Sequence, residues 1–507
     1  MKENRMLKNI SIVMIYSLGA KFLSFLVELL VASKYGATTE TDVYYMVYGI
    51  TQIIYPMISI GIWKVYLPEY KTRLVQGKEA EAKEITNQLL IIFLTAASLV
   101  ITFCFCFPKA LLFIFAPGFD AGSVKTAVVF LRIVVFMFFF NTITTFASAV
   151  LQSNNCFSKS QLKEVIQHLP QLIYLLFFSY KYGIWGLCLA FTTGTVFTAA
   201  VECFLSKKYY SFRFPKKIAD RSTLSILRQV PVACVNSVIN QLNNIIDKAF
   251  ASGLATGSIT YLNYGGRLIH LFDGIFSTAV STAFFPHITE MVAKNEKEKL
   301  KDFLKHYIII ISAFLLPISA LIVLYSRQIV SIVFGHGQFD DYSVIKTASV
   351  LLMYGIGLLL MSMTTVVNDV FYVLKKTRIL LATTAINIVS NIILDFIFVK
   401  SLSVAGLSLA TTISLFISLL LKLFLIKDVI RIDTELRKHI ILNVAACGIA
   451  AVIARAAGSL AAGNIWSFIL GCTVFVLAYS LFLLLATDYY RVRLRKICMK
   501  LKKTKEN

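Results

Sequence analysis

The sequence predicts an all-α polytopic membrane protein of about 14 transmembrane helices. Three observations carry that fold class. Only 15% of the 507 residues are charged and 57% are hydrophobic, whereas a soluble protein keeps about a quarter of its residues charged; the mean hydropathy is +0.74. Apolar runs of about 20 residues recur from end to end, the length of helix that crosses ~30 Å of hydrocarbon. The basic residues collect in alternate connections, as the positive-inside rule describes. A β-barrel would read instead as short alternating segments.

The spans fall at approximately 10–33, 42–63, 86–107, 125–151, 161–180, 184–205, 230–252, 260–285, 306–326, 343–372, 379–399, 404–426, 438–458 and 465–486. The first apolar run is long and carries charges, so it reads as a span rather than a cleavable signal. Lysine and arginine cluster at Lys2, Arg5 and Lys8, in 64–83, 207–228, 294–305 and 375–378, and in the tail "RVRLRKICMKLKKTK". These connections are expected to face the cytoplasm, with both termini inside. The net charge of +23 is therefore a statement of topology rather than of nucleic-acid binding. The segment 64–85 is expected to form a charged cytoplasmic helix. Nine cysteines occur without a CxxC or Cys/His metal spacing, so no metal site is expected and they read as small packing residues.

The chain repeats itself. Thr144-Thr145 returns as Thr364-Thr365, "SVKTA" at 123–127 as "SVIKTA" at 343–348, and Phe119-Asp120 as Phe339-Asp340. "GLCLA" at 186–190 returns as "GLSLA" at 406–410, Ala32-Ser33 as Ala251-Ser252, and Pro68 as Pro286. Six matches in order, all offset by 218 to 221 residues, indicate duplication. The expected organisation is an N-lobe at 1–220, a C-lobe at 221–430, and two further spans with a basic tail at 431–507. Six spans per copy makes the repeats parallel, a design of transporters whose lobes rock about a midplane site.

The duplication explains two charges in the first span. In "SLGAKFLSFLVELLVAS", Ser17, Lys21, Ser24 and Glu28 follow i, i+4, i+7, i+11, which is one helix face. Their equivalents 219 residues on are Asn236, Asn240, Asn243 and Asp247. Polar glue between packed helices is one reading of these stripes. The other is a shared hydrated cavity between lobes, where ionisable membrane residues usually face. On that reading Lys21, Asn236 and Asn240 line the cavity together with the acids Glu28 and Asp247. Arg267, in "YGGRLIHLFDG" with His270 and Asp273, is a phosphate-binding candidate because guanidinium matches phosphate geometry. Arg132 and Asp369 read as near-interface groups with structural partners, and Asp395 lies within span 11. No Walker A, HExxH or GxSxG motif occurs, so neither an ATP-driven pump nor an enzyme is expected, and no cofactor.

The segments "YGATTETDVYY", "APGF", "VFGHGQF" and "YLNYGGRLIHLFDGIFSTAVSTAFFP" together resemble the MviN/MurJ-type lipid II flippases of the MOP exporter superfamily. "YGATTETDVYY" at 35–45 resembles the family's FGAGxxxDAFF signature, and "APGF" at 116–119 and "VFGHGQF" at 333–339 resemble its short external motifs. "YLNYGGRLIHLFDGIFSTAVSTAFFP" at 261–286 resembles its Tyr-Ala-Asp-Arg-Leu segment. The resemblance implies fourteen helices in two lobes, a bacterial cytoplasmic membrane, and export of a polyprenyl-diphosphate-linked sugar through a cationic cavity. It implies that spans 13 and 14 help form a groove for the lipid tail and that ion gradients or membrane potential drive transport. Membrane lipid and cell-envelope synthesis proteins are the implied partners. Asp42 matches the family's acid and Arg267 its arginine, while Gly266 stands where the family has Asp; Asp42 and Arg267, with Lys21, Asn236 and Asn240, are the implied headgroup contacts, and Glu28 and Asp247 the ion-coupling candidates for Na+ or H+. Lys21 and Val27 occupy family arginine positions, Glu28 stands for its Asp, and Tyr55-Pro56 and Ile60 replace an arginine pair and a glutamate. Fewer cavity charges leave other substrates open: a capsule, O-antigen or teichoic precursor, or a drug for a cation-coupled antiporter of the same superfamily. A scaffold without transport is the reading from another class.

Overall fold

A computed structural model describes residues 2–430, 433–460, 464–487 and 489–492, with side chains described for 13–231, 241–274, 284–430, 433–460, 465–487 and 489–492. It is helical throughout, and no strand occurs among the described residues. The chain divides into two units, Met1–Asn263 with Phe334–Ser343, and Tyr264–Val333 with Val344–Asn507.

The first unit holds α1 (Lys2–Tyr35), α2 (Thr39–Gly61), a π-turn (Ile62–Tyr66) and α3 (Leu67–Val75). It continues with α4 (Glu79–Cys106), α5 (Pro108–Phe115), α6 (Ala121–Val134) and α7 (Met137–Ser153). Then come α8 (Phe157–Ile166), α9 (Leu169–Phe177), α10 (Ser179–Ser206) and α11 (Arg221–Ala251). Its core gathers on α2 and α7, where Tyr45, Ile50, Phe138 and Val150 are almost inaccessible. Tyr66 packs on Phe146 at 4.9 Å between ring centres and bonds the Thr86 hydroxyl at 2.8 Å, which satisfies its buried phenol.

The second unit takes most of α12 (Ser258–Ala293) and of α13 (Lys297–Phe334), then α14 (Asp341–Val373), α15 (Thr377–Leu402) and α16 (Val404–Leu425). α17 (Thr434–Gly458) and α18 (Asn464–Ala486) follow. The small residues Ala446, Cys447, Ala450 and Ala454 of α17 meet Phe475, Tyr479 and Leu483 of α18. Small side chains let membrane helices approach closely. Tyr479 donates to the Ala313 carbonyl at 2.9 Å, and Asn443 to Ser312 at 3.0 Å, tying the pair to α13.

Eleven helices are long and apolar enough to cross a membrane among the described residues. Of the other three expected spans, 230–252 and 260–285 fall on α11 and α12, whose middle side chains lie outside the described residues. The expected span 161–180 is not one helix. It breaks between α8 and α9, where Pro170 sits in the first turn of α9 and supplies no amide hydrogen. Nor is 64–85 a separate charged helix: α2 runs on through the π-turn into α3, a turn at 76–78 follows, and α4 starts at Glu79. Burial is inverted from the soluble pattern. Ile441, Val452, Trp466 and Leu481 are exposed, while Asn141, Glu202 and Asn391 are buried, as a hydrocarbon solvent requires.

The duplication is written in the backbone. Gly77 and Asn295, Asn155 and Lys375, and Gly183 and Ser403 are three pairs at the repeat offset, and all six have positive φ. Asp120 and Asp340 cap α6 and α14, accepting from the amides of Ser123 at 3.1 Å and Ser343 at 2.9 Å. Hydrogen bonds from those serines hold both carboxyls below the usual carboxylate range.

Ser403 adopts φ 52° and ψ −134°, a conformation natural to glycine and taken by Gly183 in the first copy. Ser403→Gly is therefore expected to stabilise the protein by about 1 kcal/mol, and Gly183→Ala, whose Cβ meets open space, to destabilise it by about as much. Thermal unfolding in detergent measures both. A cap with depressed folded-state pKa stabilises above the ordinary carboxylate range and loses that effect as pH falls through its folded value. The melting-temperature deficit of Asp340→Ala should thus be present at neutral pH and shrink below about pH 4.

Candidate functional site

The segment "TTETDV" at 38–43 does two jobs. Thr38 and Thr41 form a capping box that starts α2, with the Thr41 hydroxyl accepting from the Thr38 amide at 2.7 Å. One residue on, Asp42 is buried and its carboxylate points away from α2. It accepts from the Gly257 amide at 2.7 Å, the Thr260 amide at 2.8 Å and the Thr260 hydroxyl at 2.7 Å. These are amides at the start of α12, which no intrahelical carbonyl reaches. Asp42 is the cap of a helix more than 200 residues away in sequence, and its negative charge meets the positive end of that helix's dipole.

The same region holds equivalent residues of both copies. Thr41 and Thr260, offset by 219 residues, hydrogen-bond through their hydroxyls at 3.1 Å. The Gln338 amide donates to the Ser33 carbonyl at 2.8 Å, and the Gly118 amide to the Ser252 hydroxyl at 3.0 Å. Ser33 and Ser252 are repeat equivalents, so each copy's loop seats on the other copy's helix end. Gly337 lies against the Ser33 carbonyl with φ 69°, leaving no space for a side chain. Gly118 of "APGF" and Gly337 of "VFGHGQF" are there for this close approach.

Along α1, Lys21 is exposed and Glu28 is half-buried. The Tyr45 phenol donates to Glu28 Oε2 at 2.5 Å, and the Tyr45 carbonyl accepts from Lys248 Nζ at 3.0 Å. Asp247, 5% exposed, is the neighbour of Lys248 on α11, which packs against α2. The two predicted coupling acids therefore lie on helices joined through Tyr45. The side chains of Asn236 and Asn240 lie outside the described residues, while Asn243 on the same face is half-buried.

In the second unit, Arg267 is half-buried on α12 and His270 is exposed. Asp273 accepts from the Ser362 hydroxyl of α14 at 2.8 Å. Asp395 and Asn391 are fully buried one turn apart on α15, with Asn391 donating to the Thr411 hydroxyl of α16 at 3.3 Å. No group of three or more His, Cys, Asp or Glu side chains suited to a metal occurs among the described residues.

Sequence reasoning did not find Tyr45, Lys248, Gly257 or Thr260. Lys248 was visible beside Asp247 but lies off the polar stripe, and the partners of Asp42 carry no local signal. Asp42, expected among headgroup contacts, has both carboxylate oxygens engaged in the cap of α12.

A family model described as "Lipid II flippase MurJ" matches residues 31–486. A curated relative from Buchnera aphidicola subsp. Schizaphis graminum, "Probable lipid II flippase MurJ", is 25% identical, covering 81% of this chain and 82% of its own. One of the same name from Aquifex aeolicus is 24% identical, covering 79% and 80%. Among solved structures, "Lipid II flippase MurJ, inward closed conformation" aligns with a TM-score of 0.80 at 21% identity, over 95% of this chain and 99% of that one. An inward-facing multidrug resistance MATE family transporter of the MOP superfamily aligns at 0.68 and 15% identity, over 85% and 98%. At these identities the structural likenesses establish the fold.

Replacing Asp42 by alanine would leave the buried Gly257 and Thr260 amides without an acceptor and the Thr260 hydroxyl with only Thr41. Asp42→Ala should destabilise the protein by roughly 3 kcal/mol, with Asp42→Asn intermediate because one carbonyl oxygen remains. Thermal unfolding of the purified variants in detergent decides it: a melting temperature equal to wild type for Asp42→Ala would remove the capping role.

Proposed function

Because the chain belongs to the family of the lipid II flippase MurJ, we propose that it exports lipid II, a polyprenyl-diphosphate-linked cell-wall precursor, across the bacterial cytoplasmic membrane. Transport proceeds by alternating access, with the basic connections and both termini on the cytoplasmic side. The observation that carries the reading is the family match over 31–486, in a chain that keeps Lys21 and Arg267 within its membrane helices. The family is one of transporters, and the chemistry needed here is binding and release rather than bond making.

In this reading Arg267 grips the diphosphate through its planar fork, and Lys21 adds a point charge where the fork is not required. Asn236 and Asn240 offer amide contacts to sugar hydroxyls. Asp42 serves indirectly, by fixing the first turn of the helix that bears Arg267. Glu28 and Asp247 take a coupling Na+ or H+, and membrane potential contributes about 2.3 kcal/mol per charge per 100 mV. The capsule-type and drug-antiporter alternatives gain no support from the comparisons: the curated relatives are named as lipid II flippases, and the MATE likeness is one of fold.

The test is complementation. In a strain depleted of its resident lipid II flippase, this chain should restore growth, as should Lys21→Arg. Arg267→Ala should not, and Lys21→Ala should do so weakly. Failure of the wild-type chain, with membrane insertion verified by immunoblot, excludes lipid II as its substrate. Full rescue by both alanine variants excludes the phosphate role.

A further inference from the structure

Arg132 has no part in the site above. It lies on α6 and is exposed, although its helix belongs to a membrane span. Its Nε donates to the Phe105 carbonyl at 3.3 Å, near the C-terminal end of α4, and its guanidinium sits 5.0 Å from the Phe105 ring centre. Among the described residues no carboxylate pairs with it and no group accepts from its terminal nitrogens. Beside it opens a cleft of about 490 Å3 walled by Phe105, Ile133, Phe136, Phe140 and Leu189.

Two helices place this cleft at a membrane boundary. Phe105 stands about 30 Å along α4 from Ile85, the first apolar residue after Lys83 and Glu84. Arg132 reaches the Phe105 carbonyl and so stands at the same depth. The distance along α4 equals the hydrocarbon thickness, so both residues lie at the polar edge opposite Lys83. Tyr182 and Trp185 are exposed at the start of α10, as an interfacial aromatic belt requires. The repeat equivalent of Arg132 is Leu352, so the feature belongs to one copy and is not inherited from the duplication.

We propose that this cleft binds a membrane phospholipid, with the phosphate on Arg132 and an acyl chain against Phe136, Phe140 and Leu189. A phosphodiester fits the charge and geometry of the unfilled guanidinium donors, and the walls offer hydrocarbon to the chain. The cleft is a lipid site on the membrane-facing surface of the first unit, separate from the Asp42 and Glu28 region.

The full chain is reconstituted in phosphatidylcholine nanodiscs containing phosphatidylglycerol with a photoactivatable acyl chain, and labelled peptides are identified by mass spectrometry. Labelling at 133–140 and 189–192 should fall about tenfold in Arg132→Gln, the scale of one charge-assisted hydrogen bond, while labelling on the exposed face of α17 stays constant. Photoactivatable diacylglycerol, which lacks the phosphate, should label the cleft weakly. Wild-type labelling in Arg132→Gln, or equal labelling by diacylglycerol, overturns the proposal. So does displacement by trace polyprenyl diphosphate but not by unlabelled phosphatidylglycerol, which would give the cleft to a transported lipid. If Arg132→Gln unfolds, Leu189→Trp fills the cleft with the guanidinium kept and should abolish the same labelling; labelling unchanged in it is likewise overturning.

Discussion

One carboxylate holds together what the chain separates. Asp42 accepts three hydrogen bonds from Gly257 and Thr260, residues 215 and 218 positions away. Hydrogen bonds to a charged acceptor are each worth about 1.5–3 kcal/mol, and this acceptor is buried where water does not compete. The start of α12 has no cap of comparable charge from its own sequence, so its free amides depend on α2. The neighbouring features follow from the same approach of α2 to α12. Thr41 meets Thr260, the glycine loops seat on the ends of α1 and α11, and α11 lies along α2 closely enough for Lys248 to reach the Tyr45 carbonyl.

Duplication supplied the scaffold and divergence supplied the differences between copies. Backbone conformations at Gly183 and Ser403 agree although only one is glycine, so the fold constrains the turn more tightly than residue type does. Charges did not stay equivalent. Glu202, buried and bonded to the Ser148 hydroxyl at 2.8 Å, has Lys422, also buried, at the corresponding place. Arg132 corresponds to Leu352. Equivalent helix positions in the two copies therefore carry different electrostatics.

Much of the fold was legible because its signals are local or periodic. Apolar runs set the helices and the stripe Ser17, Lys21, Ser24, Glu28 set a face. Signals failed where tertiary packing overrides them. The run 161–180 is apolar enough for a span, yet it breaks at Gln167–His168 ahead of Pro170. The charged stretch after Ile62 reads as a separate helix, yet one π-turn carries α2 straight into it. For the candidate site, residue type and spacing singled out Glu28, Asp247 and Arg267 as proposals, but nothing near Asp42 or Tyr45 in sequence names their partners.

By itself the sequence determined a polytopic helical membrane protein, its duplication, its basic connections and the residues that bring charge into the bilayer. Hydrophobic length, alternation of charge and internal similarity are properties of the chain as written. Only the tertiary structure decided that Asp42 caps α12, that Tyr45 joins Glu28 to Lys248, and that Arg132 faces an open apolar cleft. Helical periodicity assigns a residue to a face, whereas what that face meets depends on how helices distant in sequence pack.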